Sequence, residues 1–212
     1  MRTQRIRIKD NTIDNSALEV AASAIQNGSI ISAPTETFYV LCADPFNLRV
    51  IEEIFLITKR QEWKPLLLLA DSIEQIEGIT SGLPDIFYEI SERFWPGPLT
   101  LILPAANHIP LKITGGTGTV GIRIPDSKVT RMLIRSLDIP VTGTSANLST
   151  HPVCSTADDV LMQLGGKIDL ILDQGDTAGK APSTILDLTR DPVRVVREGA
   201  ILLDKLSSYL SP

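Results

Sequence analysis

A chain of 212 residues, 43% hydrophobic and 21% charged, can bury the core of one large domain or two small ones and has the composition of a soluble globular protein. Its formal charge of −5 argues against sequence-independent nucleic-acid binding, which needs a surplus of Lys and Arg, although a total does not exclude a local basic cleft. The apolar runs are far too short to span a membrane, and the basic start Met-Arg-Thr-Gln-Arg-Ile lacks the core of a signal peptide, so a cytoplasmic location is expected.

Helical periodicity first appears over Ser16–Gln26, which places Leu18, Val20, Ala21, Ala24 and Ile25 on one face with Asn27-Gly28 as the stop. A strand over Ser29–Ala33 leads into Pro34-Thr35-Glu36-Thr37-Phe38-Tyr39, either a capped turn or a polar lining at a strand's end. The next helix, Asn47–Thr58, ends on the densest basic cluster, Thr58-Lys59-Arg60 with Lys64 close behind. Such cations either grip phosphates or complement the helix macrodipole. A strand over Leu66–Ala70 and a helix over Pro84–Phe94 precede Phe94-Trp95-Pro96-Gly97-Pro98-Leu99-Thr100, a rigid corner with its aromatic pair packed beneath it. Strands follow at Leu99–Leu103 and Thr119–Ile124. The second carries Arg123, which pairs with a carboxylate or faces a cavity that holds an anion.

A helix over Ser127–Leu137 and a strand over Pro140–Thr144 lead to Gly143-Thr-Ser-Ala-Asn-Leu-Ser-Thr150, which reads as an N-cap turn or as a ligand loop. Beyond it the pattern predicts a helix at Thr156–Leu164, strands at Leu170–Leu172, Ser183–Leu188 and Val193–Arg197, and a helix at Leu202–Leu210. The Ser183–Leu188 and Val193–Arg197 runs flank Arg190-Asp191-Pro192 and form a hairpin, so the class is α/β with a mixed parallel and antiparallel sheet. In such sheets ligands favour the crevice beyond the strand ends.

Conventional catalytic signatures are missing. Cys42 and Cys154 fit neither a disulfide framework nor a zinc pattern, and His108 and His151 read as solvent-facing loop residues outside any triad context. No Walker-type loop occurs, and although Gly116–Gly121 fits GxGxxG letter by letter, it leads into the Thr119–Ile124 strand rather than out of a strand into a helix, so the context of a dinucleotide-binding loop is missing.

The order of the polar stretches carries more than any one of them. Pro34–Tyr39, Arg60 with Pro65-Leu66, Phe94–Thr100, Val120–Pro125, Ser145-Ala-Asn-Leu-Ser149, Ser183–Asp187 and Arg197-Glu-Gly-Ala200 together resemble the YrdC/TsaC family of threonylcarbamoyl-AMP synthases over nearly the whole chain. The resemblance implies a single YrdC-like domain over residues 1–212, a twisted mixed sheet flanked by helices around a large concave cleft, without the C-terminal extension of longer members. It implies a nucleotidyltransferase that joins L-threonine, bicarbonate and ATP (with Mg²⁺) into threonylcarbamoyl-AMP and releases pyrophosphate. A separate transferase complex would then modify tRNA, and double-stranded RNA is a further partner described for some members.

Carried over residue by residue, Arg60, Ser145, Asn147 and Arg197 face the nucleotide, while Thr35, Thr119, Arg123 and Ser183 serve threonine. The carbamate of threonine attacks the α-phosphate, so the site positions anions and neutralises charge, and no catalytic nucleophile or protein metal site is expected. Three positions depart from the family pattern. Thr58 stands where a Lys-x-Arg motif has Lys, with Lys59 in the intervening place; Val40 stands for Gly; and Leu69 stands where many members carry His. These departures keep a second reading open, a divergent paralogue that binds nucleotide or double-stranded RNA without synthase activity.

Overall fold

The computed structural model describes residues 2–8 and 15–210. In chain order the elements are β1 (Gln4–Arg7), α1 (Asn15–Gln26), β2 (Ile31–Pro34), β3 (Tyr39–Cys42), α2 (Leu48–Thr58), β4 (Leu68–Leu69), α3 (Ile73–Ile79) and α4 (Asp85–Phe94). They continue with β5 (Leu99–Pro104), α5 (Leu111–Thr114), β6 (Thr119–Arg123), α6 (Lys128–Leu137), β7 (Val141–Thr142), β8 (Thr144–Ser145) and α7 (Ala157–Leu164). Last come β9 (Leu170–Asp173), β10 (Thr184–Asp187), β11 (Arg194–Arg197), a 3-10 turn (Leu203–Leu206) and α8 (Ser207–Leu210).

The strands form two sheets, ordered β1-β9-β2-β3-β8 and β11-β10-β5-β6-β4-β7. Both are mixed: β9 runs parallel to β1 and β2, and β10 parallel to β5, whereas β2–β3, β3–β8, β5–β6 and the expected hairpin β10–β11 are antiparallel. Strand alternation divides the apolar side chains between two cores. On β2, β3 and β9, Ile31, Ala33, Val40, Cys42, Leu170 and Leu172 pack with α1 and α6, while Tyr39, Leu41 and Ile171 turn to the core shared with the second sheet. Every residue of β2, β3 and β9 is therefore buried, as expected for strands covered on both faces.

Helix starts follow the expected chemistry. Asn47 accepts from the Val50 amide, Ser127 from Thr130, and Thr156 closes a capping box with Asp159. On α1 the buried face is Ala17, Leu18, Ala21, Ala22 and Ile25, so Val20 and Ala24 lie off the centre of the stripe and Val20 is exposed.

Several elements differ from the pattern-based reading. β1, β3, α3 and α5 were not legible as elements, because each is short or embedded in a polar or apolar run without clear periodicity. The strand expected over Pro140–Thr144 is in fact two. β7 pairs with β4 in the second sheet, and β8 pairs with β3 in the first. The chain changes sheets at Gly143, whose amide donates to the Leu67 carbonyl at 2.7 Å. This crossing needs Gly for space: a Cβ there would lie 2.6 Å from Leu69 Cγ. The capping account of Gly143–Thr150 does not hold either, since Thr156 begins α7 and neither Ser145 nor Asn147 caps a helix.

Candidate functional site

A cavity of about 290 Å³ opens where the two sheets meet. The first sheet contributes Val40 from β3 with Thr144 and Ser145 from β8; the second contributes Thr119 and Arg123 from β6 and Arg197 from β11. Ser183, just before β10, closes the floor beside Thr100 of β5, their hydroxyls 2.8 Å apart. Phe38, Leu66, Ile102, Val153 and Ile185 supply apolar wall between these polar groups.

An adjoining annex of about 230 Å³ shares Arg60, Thr144 and Ser145 with the main cavity. Its other lining residues are Thr58, Lys64, Asn147, Ser149 and Thr150, so it has neither an apolar nor an acidic side chain. The Ser145 hydroxyl spans both compartments and has no protein partner among the described residues.

Arg123 is almost wholly buried and locked by three contacts. Its Nε donates to the Gly97 carbonyl at 3.1 Å, its Nη1 to Thr37 Oγ1 at 3.1 Å, and its Nη2 lies 2.6 Å from Glu36 Oε1. The last contact is an ion pair by distance rather than an aligned hydrogen bond. Arg123 thus pairs with a carboxylate and also lines the cavity. The Trp95-Pro96-Gly97-Pro98 corner is more than a bend, because its Gly97 carbonyl anchors Arg123. The corner's aromatics do pack, Trp95 edge-on to Phe87 and Phe94 edge-on to Tyr209.

Arg197 sits at the exposed rim, where its Nε and Nη2 clamp the Ser183 carbonyl at 3.2 and 2.8 Å. Gly199 makes this possible by close approach: a Cβ there would collide with the Pro182 carbonyl. Burial and then the neighbouring Arg123 charge lower the Arg197 pKa, and burial lowers that of Arg60. Both guanidiniums remain cationic at neutral pH and line the cavity. Cys42 and Cys154 are free and buried, with burial pushing both thiols up to about 12, so neither serves as a thiolate nucleophile.

Of the residues singled out in the sequence, Arg60, Thr119, Arg123, Ser145, Ser183 and Arg197 line the main cavity, and Asn147 lines the annex. Thr35 lines neither. Its hydroxyl is used within the turn, donating to the Phe38 carbonyl at 2.7 Å and accepting from the Thr37 and Phe38 amides. Thr37 reaches the cavity instead; the two lie in a turn between β2 and β3, where no strand alternation assigns their faces. Asn147 has a double role: its Nδ2 donates to the Leu148 and His151 carbonyls, holding the loop, while its Oδ1 is buried without a protein partner.

The three departures separate in space. Val40 lies directly opposite Ser145 in the β3–β8 pair and lines the main cavity; its backbone φ is not positive, so it adds apolar surface without strain. Leu69 is fully buried in the same core cluster as Val40 and lines neither compartment. Thr58 faces the annex, with its hydroxyl donated back to the Ile54 carbonyl at 2.6 Å. Lys59, with φ of 54°, ends α2 in the left-handed conformation and lines neither compartment.

The model of Sua5, YciO and YrdC proteins, described as "Telomere recombination", matches residues 23–199. The chain belongs to the Sua5/YciO/YrdC family. It is 34% identical to the threonylcarbamoyl-AMP synthase of Pyrococcus abyssi (strain GE5 / Orsay) over 198 residues, covering 93% of this chain and 58% of that protein. The threonylcarbamoyl-AMP synthase of Bacillus subtilis (strain 168) is also 34% identical over 193 residues, covering 91% of this chain and 56% of that relative. The chain thus spans a little over half the length of these two family members. A shorter relative of the same name from Pseudomonas fluorescens is 34% identical over 176 residues, covering 83% of this chain and 95% of its own length.

Solved structures agree with the family fold. P. abyssi Sua5, complexed with L-threonine, superposes with a TM-score of 0.95 at 34% identity, covering 98% of this chain and 61% of that one. E. coli YciO superposes with a TM-score of 0.86 at 23% identity over 95% of this chain and 98% of its own, a likeness of fold. Among the described residues no helix is long and apolar enough to cross a membrane.

Proposed function

We propose that this family member is an L-threonylcarbamoyladenylate synthase. It joins L-threonine, bicarbonate and ATP into threonylcarbamoyl-AMP and releases pyrophosphate. One observation carries the reading: a mixed apolar and cationic cavity opens into a wholly polar annex across a shared Arg60 and Ser145. That division suits a reaction between an amino-acid carbamate and a nucleoside triphosphate. The names of the relatives, and the L-threonine bound in P. abyssi Sua5, support the same substrates.

In this reading the threonine carbamate lies in the main cavity near Thr119, Ser183 and Arg123, with Thr37 beside them. Because Glu36 offsets the charge of Arg123, that arginine serves as a rigid donor frame more than as a free cation. The carbamate oxygen forms a bond to the α-phosphorus as the bond to the pyrophosphate oxygen breaks. Arg60 and Arg197 offset the negative charge, and Ser145 donates a hydrogen bond where the two compartments meet. The carbamate forms as the threonine amine, having lost its ammonium proton to solvent, bonds to the bicarbonate carbon with loss of water; it is then already an anion, so the transfer to the α-phosphorus itself requires no protein proton acceptor.

Mg²⁺ enters with ATP in this scheme. Hydroxyl, amide and cationic groups line the annex, and no group of His, Cys, Asp or Glu suited to a metal occurs among the described residues, so phosphate oxygens and water would hold the ion. When bound, it would supply charge neutralisation on the phosphates. The product would pass to a separate transferase complex acting on tRNA.

The deciding experiment is incubation with ATP, Mg²⁺, threonine and bicarbonate, followed by assay of pyrophosphate. Threonine-dependent release is expected; none from well-folded protein would sink the synthase reading in favour of a nucleotide-binding paralogue. For direct binding to double-stranded RNA, a salt titration separates specific association from contacts that survive only at very low salt.

A further inference from the structure

Three guanidiniums line the main cavity, those of Arg60, Arg123 and Arg197, and no acidic side chain joins them. Left uncompensated, such a lining would hold any small anion and repel an ammonium group. An amino acid carries both charges, so admitting one requires a countercharge. Arg60 and Arg197 have none: Arg60 Nη2 donates to the Pro65 carbonyl at 2.7 Å and Arg197 Nη2 to the Ser183 carbonyl at 2.8 Å, both neutral acceptors. Among the described residues, Glu36 is the one carboxylate in an ion pair with a cavity arginine.

Glu36 stands behind Arg123 rather than against the ligand space. It does not line the cavity, whereas Thr37, next in the chain, does. The Thr35 hydroxyl fixes their turn by accepting the Thr37 and Phe38 amides. Arg123 grips both neighbours, Thr37 Oγ1 through Nη1 at 3.1 Å and Glu36 Oε1 at 2.6 Å from Nη2. Both Glu36 oxygens are buried and neither accepts a hydrogen bond among the described residues, so Arg123 alone answers the charge. Charge at this position is felt across the cavity, since burial and then the Arg123 charge lower the pKa of Arg197.

We propose that Glu36 is a specificity-determining residue that makes the cavity select a zwitterionic amino acid over a simple anion of the same size. The proposal deepens the synthase reading and rests on its placement of the amino acid in this cavity. Glu36 touches no ligand and acts through Arg123, whose charge it offsets from behind. Selectivity here is a difference of two affinities: the countercharge lowers the attraction for plain anions and lifts the penalty on an ammonium group.

The test is calorimetric binding, without ATP, of L-threonine, of 2,3-dihydroxybutyrate (a hydroxyl in place of the ammonium) and of sulfate. The proteins are the full chain, Glu36→Gln and Glu36→Asp. Wild type is expected to bind threonine at least about tenfold more tightly than either anion. Glu36→Gln, which keeps the shape and removes the charge, should weaken threonine and strengthen both anions, so that the preference falls about tenfold. Glu36→Asp, which keeps the charge, should restore most of it. If Glu36 only held Arg123 in place, Glu36→Gln would weaken all three ligands together. That result, an unchanged preference in Glu36→Gln, or a wild type that binds dihydroxybutyrate as tightly as threonine would each overturn the proposal, and the last needs no variant to fold. A chain that shows the preference and its loss in Glu36→Gln, but releases no pyrophosphate once ATP is added, loses the synthase reading while the assignment of Glu36 stands. A chain that binds none of the three loses the amino-acid cavity and the proposal with it.

Discussion

Ser145 lies where the two compartments meet, and its hydroxyl has no protein partner among the described residues. On the proposed synthase reading, removing it costs the fold little and the nucleotide a charge-assisted hydrogen bond, worth about 1.5–3 kcal/mol, or roughly 10- to 100-fold in affinity or rate. Ser145→Ala should therefore lower kcat/KM for ATP by that factor, with the urea midpoint and the threonine KM nearly unchanged. Steady-state pyrophosphate release at varied ATP and threonine, beside a denaturation curve, checks it; a large stability loss would show that Ser145 holds the fold instead. Arg123 is the opposite kind of residue. Fixed by Gly97, Thr37 and Glu36, it is bound up with the fold as well as the site, so its replacement cannot separate the two.

At the scale of elements, the crossing of the chain between sheets is the feature on which the cleft depends. Because β7 and β8 lie in different sheets, Gly143 joins the walls of the cavity and backs onto Leu69. Gly143→Ala would drive a methyl group into Leu69 Cγ, in a core with no room to yield. Overpacking of this kind costs about 1–3 kcal/mol. The double variant Gly143→Ala, Leu69→Ala should be more stable than the sum of its single effects, because each change relieves the strain of the other. Urea denaturation of the four proteins in the cycle tests this, and strict additivity would refute direct contact.

At the scale of the whole molecule, the short edge strand β1 is tied to the sheet by its backbone pairing with β9 and by one charged cluster. Arg5 Nε lies 2.9 Å from Asp173 Oδ2, its Nη1 meets Asp158 Oδ1 at 2.6 Å, and Asp173 Oδ1 accepts the Gly175 amide at 2.9 Å. Burial pushes the Asp173 carboxyl up, but the Gly175 amide and Arg5 together hold it below its ordinary value. A carboxylate depressed in the folded state adds stability that is complete above its unfolded pKa, about 3.9, and lost as pH falls through the folded one. Arg5→Ala should cost about 1–2 kcal/mol at neutral pH, a figure reduced for the partial exposure of Arg5. It leaves the upward push of burial on the Asp173 carboxyl less opposed, so the acid loss of stability should begin at higher pH than in wild type. Thermal melts from pH 3 to 7 read both effects; a parallel pair of curves would exclude Asp173 as the linked group.

The sequence by itself determined the α/β class, the main helices with their Asn47, Ser127 and Thr156 starts, the β10–β11 hairpin and most of the polar residues that meet in the cleft. These are local matters: period, capping chemistry and turn residues act over a few positions, and motif order preserves them along the chain. Only the tertiary structure decided which member of Thr35 and Thr37 faces the cavity, where the Pro140–Thr144 strand divides, and that Lys64 rather than Lys59 reaches the annex. Those outcomes depend on contacts between distant positions, such as Thr37 with Arg123 and Thr100 with Ser183, and no local pattern specifies which face of a short segment such contacts will select.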